Sequence, residues 1–60
     1  MAGYTVTFSI SQINEMVDNP GYYKKWQINE AMKDAKTHYD YGNVPRKWYE
    51  GVISILNYYA

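Results

Sequence analysis

Tyr4-Thr5-Val6-Thr7-Phe8-Ser9-Ile10 is the one stretch of this chain in which apolar and polar residues alternate cleanly. Tyr4, Val6, Phe8 and Ile10 fall on one side, and Thr5, Thr7 and Ser9 on the other. Period-two alternation of aromatic and β-branched residues is the pattern of a half-buried strand. A strand must pair its backbone N–H and C=O groups, and two strands are the smallest unit that does so. No second stretch of this kind follows. The expected mate is therefore the same strand of a second copy, paired about a two-fold axis, with Tyr4, Val6, Phe8 and Ile10 as the dimer strand. Two other solutions stay open. The strand could add to the sheet edge of a different protein, or Gly3 to Ser9 could lie extended across the helices, partly solvated.

The rest of the chain reads as helix. Ser9 with Gln12, or more weakly Ser11 with Asn14, has the spacing of a capping box, and Ile13, Met16 and Val17 make a short apolar stripe. Asp18-Asn19-Pro20-Gly21 ends it, because Pro cannot continue the hydrogen-bond ladder. Asn19-Pro20 also reads as a start, leading into a long helix to about Tyr41 with Ile28, Ala31, Met32, Ala35 and Tyr39 on one face. Trp26 lies nearly opposite that face, so either the helix begins later than Pro20 or Trp26 packs elsewhere. Gly42-Asn43 is the stop. Asn43-Val44-Pro45 opens a third helix with Trp48, Val52, Ile55, Leu56 and Tyr59 in its stripe and Tyr49 and Ile53 alongside. Gly51 weakens its interior, which points to close packing. The expected fold class is α+β and mostly helical: one N-terminal strand followed by three helices (β-α-α-α), the strand paired across a homodimer. Residues 1–60 form a single domain.

Composition narrows the function. A chain of 60 residues buries only about 60% of its unfolded surface, and domains of this size usually need extra support. There is no Cys and a single His, His38, so disulfides, thiolate metal sites and histidine-rich zinc sites drop out. What remains is a dense core, built from eight Tyr, two Trp and one Phe, or oligomerisation, or both. Six basic residues balance six acidic ones, which disfavours a general nucleic-acid binder. No stretch approaches the ~20 apolar residues of a membrane span. The Met-Ala-Gly-Tyr start lacks the pattern of a signal peptide, which makes the cytoplasm the expected location.

No catalytic constellation emerges. His38 and Asp40 are two apart and do not face each other on a helix, so His38 reads as a surface residue near a helix end. Glu30 and Asp34 sit four apart among lysines and read as a solvated charged face, with Glu15 and Glu50. No phosphate loop, nucleophile elbow or metal motif is present. The expectation is a non-enzyme with no cofactor and no metal.

Two segments stand out. Tyr22-Tyr23-Lys24-Lys25-Trp26 and Pro45-Arg46-Lys47-Trp48-Tyr49 each place two basic residues before a Trp at a helix start. Positive charge in a first turn opposes the helix dipole, so local stability does not account for it. Tyr22, Tyr23, Lys24, Lys25, Arg46, Lys47 and Tyr49 are the candidate partner-binding residues. They would bind an acidic protein surface, a phosphate or a small anion. The plainer reading makes the Trp residues core and the cations solubilising. Seven of the tyrosines (Tyr22, Tyr23, Tyr39, Tyr41, Tyr49, Tyr58 and Tyr59) cannot all be core in so small a domain, and Tyr is over-used at protein interfaces.

Strand, helix, helix with a dimeric strand resembles the ribbon-helix-helix repressors: Thr5 to Asn19 matches their strand and first helix, and Gln27 to Thr37 loosely their second. That resemblance implies that Thr5, Thr7 and Ser9 face a DNA major groove and that Lys24 or Lys25 approaches phosphates. Against it, the strand carries no Lys or Arg and the chain has no basic excess. Size, aromatic density and lack of motifs are also similar to those of small orphan bacteriophage proteins that bind and block one host or defence protein. The expected function is accordingly a homodimeric protein-binding inhibitor or adaptor. The alternatives are a ribbon-helix-helix-like DNA-binding regulator and a binder of a small anionic ligand.

Overall fold

The computed structural model describes residues 3–60. Three helices follow one another: α1 (Ile10–Asp18), α2 (Lys25–Asp40) and α3 (Arg46–Tyr59), with a 3-10 turn at Pro20–Tyr22 between the first two. Among the described residues there is no strand. The α+β expectation is thereby corrected to an all-helical one. The stretch from Tyr4 to Ser9 belongs to no sheet and bends at Thr7 and Phe8, and Ile10 is already the first residue of α1.

Local signals set the helix ends. Ser9 caps α1: its hydroxyl accepts from the Gln12 amide at 3.1 Å, and the Gln12 side chain accepts from the Ser9 amide at 2.8 Å. The box satisfies two N–H groups that the first turn would otherwise leave unpaired. Asn19 then ends the helix ahead of Pro20. The long helix begins later than the Asn19-Pro20 signal indicates. Pro20 starts only a single 3-10 turn, Tyr23 and Lys24 are extended, and α2 starts at Lys25. The Lys24 amide donates to Gln27 Oε1 at 2.7 Å. Lysine has no acceptor to return, so this cap is half-built. At the far end Gly42 takes φ +77°, and its amide and that of Asn43 donate to the carbonyls of Tyr39 and His38. Glycine reaches that left-handed conformation at no steric cost.

The short connection from Tyr41 to Pro45 folds α3 back antiparallel to α2. Tyr39 and Tyr49 stack across the neck of this hairpin, ring centroids 5.1 Å apart and planes 6° from parallel. Helix α1 lies over both. Ile13 and Met16 from α1, Ile28, Ala31 and Ala35 from α2, and Val52 and Leu56 from α3 form the buried core. Phe8, Val17, Tyr23, Met32, Trp48 and Tyr49 pack around it. Trp48 Nε1 donates to Asn14 Oδ1 at 2.7 Å and ties α3 to α1. Gly51 does not serve close packing within the chain. A Cβ built there meets nothing within 4 Å, so the glycine costs about 1 kcal/mol of helix propensity with no internal return.

Candidate interaction surface

The N-terminal segment lies against α2, and the polar side of that helix holds it. Glu30, Asp34 and His38 recur every fourth residue and so line up along one edge of the helix. Asp34 Oδ2 accepts the amides of both Thr7, at 2.9 Å, and Phe8, at 2.8 Å. Glu30 accepts the Thr7 hydroxyl at 3.3 Å. His38 Nε2 lies 3.0 Å from the Phe8 carbonyl and Nδ1 lies 2.6 Å from the Tyr4 hydroxyl. A carbonyl can only accept, so Nε2 donates; Nδ1 then accepts from Tyr4, whose oxygen also accepts from the Asn43 side-chain amide. Tyr4 further packs on Tyr41, ring centroids 4.6 Å apart.

Two readings of single residues are corrected here. Asp34 and His38 are not surface groups: they are 3% and 4% exposed. They sit beside the apolar stripe, where a polar residue normally faces water, and the N-terminal segment covers them. The alternation of residues 4–10 is nonetheless real. Tyr4, Val6, Phe8 and Ile10 are half-buried and Thr5, Thr7 and Ser9 exposed. What the pattern leaves undecided is the identity of the mate. Side chains of α2 take the role expected of a partner strand, and the dimer strand loses its argument. With no strand among the described residues, the ribbon-helix-helix arrangement that would turn Thr5, Thr7 and Ser9 toward a groove is also gone. Both nitrogens of His38 are engaged, and no buried side-chain polar atom among the described residues lacks a partner.

The candidate partner-binding residues fall into two groups at opposite ends of the hairpin. Sixteen residues of α2 at about 1.5 Å each put some 24 Å between its two ends. Tyr22, Tyr23, Lys24 and Lys25 lie at the end where α2 begins; Arg46, Lys47 and Tyr49 lie at the neck where α3 begins. They cannot act as one pocket. The neck group is largely committed. Arg46 pairs with Glu50 at 2.9 Å, and Tyr49 is stacked on Tyr39. In the other group Tyr23 packs on the core, whereas Tyr22 is 87% exposed and Trp26, four residues on in the sequence, is 60% exposed. The two Trp residues therefore differ: Trp48 is anchored and Trp26 projects. Tyr58 and Tyr59, packed edge-to-face on each other, close the same end of the bundle from α3. Trp26 is not among the residues that the basic helix starts single out; its place opposite the apolar stripe is the sequence signal for its exposure.

Among the described residues no enclosed pocket and no cluster of metal-ligating side chains occurs. No helix there is long and apolar enough to cross a membrane. The chain matches no protein-family model, no curated protein and no solved structure.

Proposed function

We propose that this chain is a protein-binding module that engages its partner through the aromatic, basic end where α2 begins. It acts as a small inhibitor or adaptor by covering a surface on the partner. The observation that carries this reading is the pair Tyr22 and Trp26, large rings left mostly in water beside Lys24 and Lys25. Exposed aromatic area rimmed by polar groups is costly to keep in water and is the usual content of an interface centre. Tyr and Trp give large contact area for few rotatable bonds, so they bind at little entropic cost. The cations favour a partner with acidic groups nearby. The reading assumes the cytoplasm as its setting. The small-anion alternative has less support, because its four cations are split between the two ends and Arg46 is already paired.

The test is affinity capture from the native host on the immobilised protein, compared with a Tyr22→Ala, Trp26→Ala variant. Capture of a discrete protein by the wild type, lost in the variant while its thermal melt is unchanged, supports the reading. Equal capture by both removes this end as the site.

A further inference from the structure

The outer face of α3 carries three features that the folded chain does not use. Gly51 stands in the middle of the helix with open space around it, and Ile55, four residues on, is 40% exposed. Tyr58, three further, is 86% exposed. Spacings of four and three keep these residues in one strip along the helix, beside the edge of half-buried Trp48. A glycine flanked by apolar side chains lets another backbone approach closely.

The charges say what approaches. Helix α3 begins with Arg46 and Lys47 and has no acidic residue in its first turn; its last turn has no basic residue. The first turn is therefore charged against the helix dipole, and the last turn has no cation of its own to offset its terminal carbonyls. Glu50 offsets Arg46, but Lys47 has no ion-pair partner among the described residues. A second α3 laid antiparallel on the first corrects both ends at once. Each Lys47 comes beside the other helix's terminal carbonyls, and each Ile55 comes over the other's Gly51. The complementarity is that of the helix with its own reverse.

We propose that the strip Lys47, Gly51, Ile55 and Tyr58 is a homodimer interface in which the α3 helices of two copies pack antiparallel about a two-fold axis. The strip runs along the outer face of α3 and meets the end that carries Tyr22 and Trp26 only at Tyr58. One helix face is small for an interface, and the dimer is accordingly a weak, concentration-dependent one.

The experiment is sedimentation equilibrium of the full chain over a concentration series, with a thermal melt of each variant. The wild type is expected to pass from monomer to dimer. Ile55→Arg should raise the dimer Kd about tenfold or more, since it buries a charge at the strip's centre. Lys47→Glu should also raise the Kd while leaving the melt unchanged or higher, because an acidic residue suits a first turn. If Ile55→Arg fails to fold, Lys47→Glu decides alone. A wild type that stays monomeric at the highest concentration, or a dimer whose Kd Lys47→Glu leaves unchanged, overturns the proposal.

Discussion

Phe8 and Asp34 are 26 residues apart in the chain and joined by a 2.8 Å hydrogen bond from the Phe8 amide to the Asp34 carboxylate. The same oxygen takes the Thr7 amide, so one buried side chain satisfies two consecutive backbone donors. Removing it leaves both donors unpaired at a part-buried site. Asp34→Ala should cost about 2–4 kcal/mol, one unpaired buried donor being worth about 1–3 kcal/mol. Asp34→Asn keeps an acceptor and should cost less. Glu30→Ala, which loses only an exposed 3.3 Å contact, should stay within about 0.5 kcal/mol. Urea unfolding of the three variants ranks them.

Gly→Ala should have opposite signs at two positions. At Gly51 a methyl group meets nothing, and the gain in helix propensity should stabilise the fold by about 1 kcal/mol. At Gly42 the left-handed φ of +77° strains any residue with a Cβ, and the fold should lose about 1 kcal/mol. Thermal melts at concentrations well below self-association report both.

Position along α3 should decide the cost of truncation. Leu56 is fully buried and Tyr58, two residues on, is almost fully exposed. Leu56→Ala should cost about 2–5 kcal/mol, the range for a large-to-small change in a packed core. A domain of this size has only about 3–9 kcal/mol in total, so the variant should melt far lower or not fold. Tyr58→Ala should change stability by less than about 0.5 kcal/mol.

The two tryptophans should report different surroundings. In Trp48→Phe the remaining Trp26 is solvent-exposed beside Lys24 and Lys25. Its fluorescence should be red-shifted and quenched more by iodide than by caesium, since the lysines attract the anion. In Trp26→Phe the remaining Trp48, hydrogen-bonded to Asn14, should emit further to the blue and resist both quenchers. Equal behaviour of the two variants would contradict the difference in exposure.

The Lys36–Asp40 pair tests the sign of a surface contact. The hydrogen bond and charge of Asp40 hold the Lys36 ammonium above its ordinary value of 10.5. Any stability it adds is therefore fully present below that value and is lost only as pH rises past the raised one. Both side chains are more than half exposed, so solvent screens the pair. Lys36→Gln should leave the neutral-pH melt unchanged within error.

Much of the helical part was readable from the sequence, because its signals are local. The Ser9–Gln12 box, Gly42 and the stripe of Ile28, Ala31 and Ala35 each act within a turn or two of helix. The start of α2 is ambiguous in the sequence: Asn19-Pro20 suits a helix opening, the phase of Trp26 points to a later one, and the structure has the later start at Lys25. The N-terminal segment was misassigned for a deeper reason. Alternation reports which side chains face the core, and it reports this correctly for Tyr4 to Ile10. It carries nothing about where the backbone hydrogen bonds go. Their partners, Asp34 and His38, look like solvated residues until the segment is laid over them. A polar pair four residues apart, flanking an apolar stripe, in a chain with one unmated extended stretch, is the signal that could have joined the two. Of the proposed interaction surface, Tyr22, Lys24 and Lys25 stand out in the sequence as a charge and aromatic anomaly. That Tyr49 stacks internally does not, since Tyr39 reaches it only once the hairpin closes, whereas the Arg46–Glu50 pair is a local contact four residues apart on one helix.

Amide hydrogen exchange at Thr7 and Phe8, in the wild type and in Asp34→Ala, probes most directly whether the N-terminal segment is held by its own α2. Both amides should be protected in the wild type, equally at low and high protein concentration, and should exchange freely in Asp34→Ala. Amides that exchange freely in the wild type, or whose protection survives loss of the carboxylate and grows with concentration, would contradict that claim and return the segment to a partner outside the chain.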